Sequence, residues 1–271
     1  VVAQPQEGRP VTRILAITNQ KGGVGKTTTA VNLAAGLAHL GERVLLVDLD
    51  PQGNATMGSG IDKRGLTRTV YQVLLGQAQC SAAIQASPCG GYDLIPANRE
   101  LAGAEVEMVG FEQRETRLKE ALRALNGGYD DVLIDCPPAL NLLTVNALAA
   151  ADAVIIPMQC EYFALEGLTD LVNTIKKVKA GLNPRIEIEG LLRVMFDPRN
   201  TLAQQVSDQL KGHFGAKVFD TVIPRNVRLA EAPSHGLTAL AYDRSAKGAQ
   251  AYLKLAEEYI ARRQRRSTET R

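Results

Sequence analysis

The densest chemical signal is nine consecutive residues, Gln20-Lys-Gly-Gly-Val-Gly-Lys-Thr-Thr28. They follow an apolar run, Ile14–Thr18, and open into a stretch of helical character, Thr28–Ala35. A strand, a glycine-rich turn and a helix N-terminus together make a phosphate cradle. Gly22, Gly23 and Gly25 free the backbone to turn N–H groups inward, and the helix dipole favours an anion. Val24 and Thr28 complete the loop. Lys26 stands where an ammonium reaches β- and γ-phosphates, and Thr27 where a hydroxyl ligates Mg²⁺. The usual pattern has glycine six positions before that lysine, and Gln20 occupies the place. A second lysine, Lys21, sits at the front of the loop instead, which suggests a second point charge for a nucleotide.

Two further apolar runs end in carboxylates. Val44-Leu-Leu-Val-Asp48-Leu-Asp50 delivers two of them to a strand's carboxyl end, and alternation puts Asp48 and Asp50 on one side. One is suited to holding a Mg²⁺-bound water and the other to orienting an attacking water. Acidic residues at strand ends also serve as ordinary turn formers, but a phosphate loop one strand away favours the chemical role. Val132-Leu-Ile-Asp135 repeats the strand-then-Asp arrangement of a Walker B segment, with Asp135 placed to act on Mg²⁺ directly or through water. Cys136 follows, but a nucleophilic thiol needs a paired imidazole. None of His39, His213 and His235 stands in a pairing context, so Cys136 reads as structural.

These groups need a scaffold that brings strand ends together. Apolar runs at Ile14–Thr18, Val44–Val47, Tyr92–Ile95, Val132–Ile134, Ala153–Pro157 and Ile186–Met195 alternate with amphipathic stretches. The latter lie near 28–39, 97–108, 113–125, 141–150, 164–179, 201–212 and 247–263. That alternation predicts an α/β fold: a doubly wound, mostly parallel sheet with helices on both faces and ligands at the strands' carboxyl ends. One domain is expected over 12–263, between a flexible tail at 1–11 and a basic tail at 264–271.

The bulk composition sets limits. With 271 residues, 45% of them apolar, the chain can bury a sizeable core. A net charge of +2 means that any nucleic-acid contact must come from a local patch. Aromatics at 4% and the lack of Trp argue against a base-stacking platform. Cys80, Cys89, Cys136 and Cys160 form no C-x-x-C pair, which argues against zinc or an iron–sulfur cluster. Val1–Pro10 has no signal-like apolar region and no run reaches membrane-spanning length, so a cytoplasmic protein is expected.

Taken together, Lys21-Gly-Gly-Val-Gly-Lys26-Thr-Thr28, Asp48-Leu-Asp50-Pro-Gln-Gly-Asn54 and Asp135-Cys-Pro-Pro138 resemble the motifs of the deviant Walker A ATPases. With Thr221-Val-Ile-Pro-Arg-Asn-Val-Arg-Leu-Ala-Glu-Ala-Pro-Ser-His235, the chain resembles the ParA/Soj-type partition ATPases over nearly its whole length. The resemblance implies a P-loop NTPase that hydrolyses ATP slowly with Mg²⁺ and forms a sandwich homodimer with ATP. In that dimer Lys21 crosses to the partner's phosphates, while Lys26 and Thr27 serve their own nucleotide and metal. Asp50 matches the residue that positions the attacking water, and Asp48 and Asp135 match the metal-side carboxylates. Gly53 and Asn54 fall in the switch I segment, and Pro224, Arg225 and Asn226 fall near the adenine. The resemblance further implies that the ATP dimer binds nonspecific double-stranded DNA through Arg199 and Arg228. A ParB-like centromere-binding partner is implied to stimulate hydrolysis, and a nucleoid-associated location follows.

Three basic clusters bear on DNA: Arg199 after Asp197-Pro198, Arg225 with Arg228, and Arg262-Arg-Gln-Arg-Arg266. Folding or dimerisation would gather them into a phosphate-binding stripe, whereas the plain reading is solvated or ion-paired side chains. About a dozen residues precede the first strand, too few for a DNA-reading domain, so binding should be independent of sequence. Ala251, Tyr252, Leu255, Ala256, Tyr259 and Ile260 recur at helical spacing. Their small stripe with two tyrosines suits packing on the core better than lying on a membrane. The rivals are a MinD-like membrane-cycling ATPase, an ATP-dependent amide synthase or carboxylase-like ligase on the same scaffold, and an iron–sulfur carrier, for which the cysteines are unsuited.

Overall fold

The computed structural model describes residues 12–125, 127–162 and 164–269. Eight strands form one sheet: β1 (Arg13–Ile17), β2 (Val44–Asp48), β3 (Gln85–Ala86), β4 (Asp93–Ile95), β5 (Asp131–Asp135), β6 (Ala153–Met158), β7 (Glu187–Phe196) and β8 (Val218–Pro224). Their spatial order is β3-β4-β2-β5-β1-β6-β7-β8. Every pairing is parallel except β3 with β4. β2, β5 and β6 are buried along their whole length, as strands covered on both faces must be.

Alternation along each strand feeds two cores. Leu45, Val47, Val132, Ile134, Val154 and Ile156 face one side, where they meet the helices Leu142–Ala150, Ala164–Gly181 and Thr201–Phe214. Leu15, Ile17, Leu46, Leu133 and Ile155 face the other, where they meet the helices Lys26–His39 and Lys247–Glu269. Those two helices are also tied by a 3.1 Å hydrogen bond between the Thr29 and Tyr252 hydroxyls. The doubly wound sheet expected from the sequence is therefore the one observed.

The register aligns the chemistry. Asp135 of β5 lies beside Ile17 of β1 and beside Asp48 of β2. The phosphate loop and both carboxylate segments therefore leave the sheet from three adjacent strand ends, on one edge.

Some elements differ from expectation. β8 and the two-residue β3 were not anticipated as strands, and Val218–Pro224 shows why: it is a half-buried edge with polar residues at 220 and 221. Short helices at Asn54–Gly58, Val70–Leu75, Cys80–Ala83, Val227–Glu231 and Ala239–Tyr242 carry too few residues to show a period. The expected helix over 97–108 starts at Leu101, and that over 113–125 opens with a 3₁₀ turn at Arg114–Thr116.

The last helix continues through Glu269, so the expected tail from 264 is helical to that point. Residues 1–11, 270 and 271 lie outside the described residues. The arginines of that tail hold the helix to the lower sheet edge. Arg262 pairs with Glu258 at 2.7 Å, Arg263 with Glu42 at 2.7 Å and Asp131 at 2.5 Å, and Arg266 with Glu189 at 2.6 Å. Asp131 and Glu189 are fully buried, so removing their partners would strand charge in the interior. Arg262, Arg263 and Arg266 form a structural clamp, in line with the ion-paired reading of this run rather than with a phosphate-binding stripe.

Candidate phosphate-binding site

After β1 the chain makes the expected cradle. Gly23 and Gly25 adopt left-handed φ values of 74° each. Gly25 caps the helix Lys26–His39, whose N-terminus has no side-chain cap and no acidic residue in its first turn. Its first backbone N–H groups are therefore left for an anion. The loop is braced from outside by Asn19, whose Nδ2 donates to Pro157 O at 2.9 Å and whose Oδ1 accepts from Lys21 N at 3.0 Å. Gln159 Nε2 donates to Gly23 O at 3.2 Å. Neither brace was anticipated, because each links segments more than 130 residues apart.

Lys26 is nearly buried, and its Nζ donates to Lys21 O at 2.9 Å, across the mouth of the loop. Burial lowers its pKa, while Asp135, Cys136 and Asp50 act in the opposite direction. Lys21 lies in the open: its Nζ meets Glu161 Oε2 at 2.5 Å, with both side chains about half exposed. Glu161 is a further residue that local sequence did not reveal.

The three carboxylates divide into distinct roles. Asp48 is fully buried and committed to protein donors. Its Oδ2 accepts from Thr56 N at 2.8 Å and Thr56 Oγ1 at 2.7 Å, and its Oδ1 accepts from Asp50 N at 3.2 Å. Burial outweighs these bonds and pushes its pKa up to about 6. Asp50 is nearly buried, and its Oδ1 accepts from Gln52 N at 2.9 Å. Gly53 closes this turn with φ 62°, and a Cβ there would lie 2.7 Å from Ala97 O, so a side chain is excluded.

Asp135 is fully buried, and among the described residues neither of its oxygens has a hydrogen-bond partner. Burial and the neighbouring Asp48 hold its pKa well above the ordinary range. The Thr27 hydroxyl and Lys26 act against that rise, the hydroxyl without reaching hydrogen-bond geometry. A buried, unpartnered carboxylate is costly unless something else binds it. Among the described residues no cluster of three or more His, Cys, Asp or Glu could hold a metal alone. Mg²⁺ does not require one, because it keeps waters and phosphate oxygens around one or two protein ligands. Asp135 with Thr27 fits that demand. Asp48, its oxygens already occupied, fits a bracing role better than direct ligation.

Both elevated carboxyl groups bind protons more readily in the folded chain than in the unfolded one. Without nucleotide or metal, stability should therefore fall as pH rises from about 4, the unfolded value, through the Asp48 value of about 6. Asp135→Asn removes one of these buried charges. Its melting temperature in chelator at pH 7 should rise by roughly 2–4 °C per kcal/mol relieved, even though the metal-side group is lost. Differential scanning fluorimetry checks this, and a lowered midpoint would count against a penalised Asp135.

Cys136 is fully buried, its Sγ lies 3.8 Å from Ile134 O, and burial raises its pKa. It is an inert packing thiol, as expected. On β8's side, Pro224 ends the strand and Asn226 precedes the helix Val227–Glu231. Asn226 Oδ1 is buried without a partner among the described residues, so an acceptor is left for a donor such as a ligand. A cavity of about 540 Å³ lies elsewhere, between Val73–Ser81 and Glu112–Leu125, and none of the residues above lines it.

The two candidate DNA arginines are not bare charges. Arg199 forms a fork with Asp197, Nε–Oδ1 at 2.9 Å and Nη2–Oδ2 at 2.8 Å. Arg228 meets Glu231 at 2.9 Å and Asp243 at 3.5 Å, and lies over the Tyr242 ring. Among the described residues no helix is long and apolar enough to cross a membrane. The apolar face of the last helix, Tyr252, Leu255, Ala256 and Tyr259, is packed in the core, as its stripe suggested.

Residues 12–188 match the family described as AAA domain. The chain is 56% identical over 252 residues to chromosome partitioning protein ParA of Caulobacter vibrioides, covering 92% of this chain and 94% of that protein. It is 55% identical over 249 residues to sporulation initiation inhibitor protein Soj of Bacillus subtilis, covering 92% and 98%. Among solved structures, cobyrinic acid a,c-diamide synthase from Mycobacterium smegmatis with bound ATP analog and magnesium superposes with a TM-score of 0.79 at 41% identity, covering 91% and 93%.

Proposed function

This chain belongs to the ParA/Soj family of chromosome-partitioning ATPases, and from that membership we propose a nucleotide-switched dimer that holds and releases DNA. It is a partitioning ATPase that works on ATP with Mg²⁺. The observation that carries the reading furthest is Asp135: a buried carboxylate without partners, beside Thr27 and Lys26 at an uncapped helix N-terminus.

The residues then have assignable work. The backbone of Gly22–Thr28 takes the phosphates, and Lys26 turns from Lys21 O to a phosphate oxygen. Thr27 and Asp135 would hold Mg²⁺, which when bound would neutralise charge on the transferring phosphoryl group. Asp48 fixes the turn that carries Asp50 through Thr56, and Asp50 orients the attacking water. Asn226 offers its unpartnered oxygen to the adenine amine, with Pro224 setting the approach. Lys21 leaves Glu161 and reaches the phosphates of a second copy, so the site is completed only in the dimer. Basal hydrolysis is slow because positioning depends on that completion. The ATP dimer binds duplex DNA without sequence preference, a ParB-like partner stimulates hydrolysis, and the protein is cytoplasmic and nucleoid-associated.

Binding to nonspecific duplex DNA should be measured with ADP, ATP and a slowly hydrolysed analogue across a salt series. Tight, salt-sensitive binding only with ATP or the analogue is expected. Equal binding in all nucleotide states would overturn the switch. Arg199→Ala with Arg228→Ala should reduce DNA affinity at least tenfold, about 1.4 kcal/mol, without preventing dimerisation. The effect is amplified because Asp197, Glu231 and Asp243 lose the guanidinium that balances their charge. The amide synthase at 41% identity supplies the competing reading. ATP-dependent formation of cobyrinic acid a,c-diamide by this chain would displace the partition reading.

A further inference from the structure

The ends of β7 and β8 and the first turns of the last helix enclose a groove of about 570 Å³, lined among others by Pro198, Thr221, Pro224, Lys247 and Lys254. Lys247 opens the helix and Lys254 follows seven residues on, so they lie on one face, about 10.5 Å apart along the axis. Both are exposed, and among the described residues neither makes an ion pair. Arg225, next to the lining Pro224, is also exposed and unpaired among those residues. The fork from Arg199 chiefly holds the Asp197 carboxyl at about 2, and the charge of Arg225 adds to it. The contrast with Arg199 and Arg228, each neutralised by its own carboxylates, is plain. Lys247, Lys254 and Arg225 thus stand free for an outside anion around one groove.

Their arrangement indicates what that anion is. A small anion needs donors that converge on one point, whereas two ammonium groups spread over two helical turns suit a line of phosphates. A lipid surface would need an apolar face beside them. The helix has spent its own in the core: Tyr252, Leu255, Ala256 and Tyr259 are at most 1% exposed. We propose that this groove is part of the duplex-DNA interface, with Lys247 and Lys254 each contacting a backbone phosphate. The proposal rests on the DNA-binding reading above and names residues that reading did not include.

The test is binding of a random-sequence linear duplex, with the slowly hydrolysed ATP analogue, across a sodium chloride series. Lys247→Ala/Lys254→Ala should weaken binding at least tenfold. It should also reduce the slope of log affinity against log salt by about 1.8 for each subunit engaged, at about 0.9 per phosphate contact. Lys247→Arg/Lys254→Arg should restore both. Lys176→Ala/Lys177→Ala, an equal charge change on the exposed face of the helix Ala164–Gly181, should change neither. Unaltered thermal melting of the alanine variant would show that the loss is not unfolding. Wild-type binding with an unchanged affinity and slope in the variant would overturn the groove while leaving the DNA reading intact. Failure of the wild-type protein to bind duplex would overturn both. Binding of phosphatidylglycerol vesicles that depends on the two lysines, with DNA binding indifferent to them, would reassign the groove to a membrane.

Discussion

Asp50→Ala is expected to lower ATP turnover by at least about 100-fold, the lower range for a positioned acid–base group, while ATP-dependent self-association persists. The residue is nearly buried at the mouth of the carboxylate pair, and only one of its oxygens is held, by Gln52 N at 2.9 Å. The turn around it does not depend on its side chain alone, because Gly53 N donates to Asp50 O at 2.9 Å. Thr56 remains anchored to Asp48 as well. Truncation should therefore remove the group proposed to orient the attacking water and leave the phosphate loop intact. Asp50→Asn separates charge from geometry, since an amide oxygen can still accept from Gln52 N. Single-turnover phosphate release and sedimentation of the ATP-bound protein measure the two properties. Normal release by the alanine variant would remove Asp50 from its assigned role.

Lys21→Ala should abolish ATP-dependent dimerisation and change nucleotide affinity by only a few-fold, because in the proposed dimer it is Lys26 that serves the protein's own nucleotide. The ion pair with Glu161 does not oppose this strongly. Both side chains are about half exposed, and pairs of this kind contribute about 0–1 kcal/mol. Releasing Lys21 thus costs at most about fivefold in an equilibrium constant. Phosphate oxygens in a site closed to water offer far more. Glu161→Gln should accordingly shift the association midpoint by no more than that factor, toward lower protein concentration. Analytical ultracentrifugation with the slowly hydrolysed analogue distinguishes these outcomes. Full dimerisation of the Lys21 variant would show that the lysine acts only within its own chain.

Much of the site could be read without coordinates because its chemistry is local. The phosphate loop is a run of nine residues, and its nest depends on glycine conformations and a helix start that neighbours dictate. Asp48, Asp50 and Asp135 each end an apolar run, so strand alternation alone places them at carboxyl ends. What alternation does not supply is the difference among them. Thr56, eight residues beyond Asp48, occupies that carboxylate, while Asp135 stays unpartnered. Burial is a property of the packed sheet, and it is what separates a bracing carboxylate from an open one.

The same division holds for the basic residues. By residue type alone, Arg199, Arg228 and the run Arg262–Arg266 are all basic positions of the C-terminal half, and only the family resemblance sets Arg199 and Arg228 apart. Folding binds the last group to Glu42, Asp131 and Glu189, covers Arg199 and Arg228 with carboxylates, and leaves Lys247 and Lys254 free beside a groove. The sequence by itself determined the doubly wound sheet, the phosphate loop and the residues at its edge, because these follow from periodicity and short-range backbone geometry. Tertiary structure alone decided which charges are spent and which remain available. Ion pairs and hydrogen bonds form between side chains brought together from distant segments, and their energies depend on a burial that no local pattern encodes.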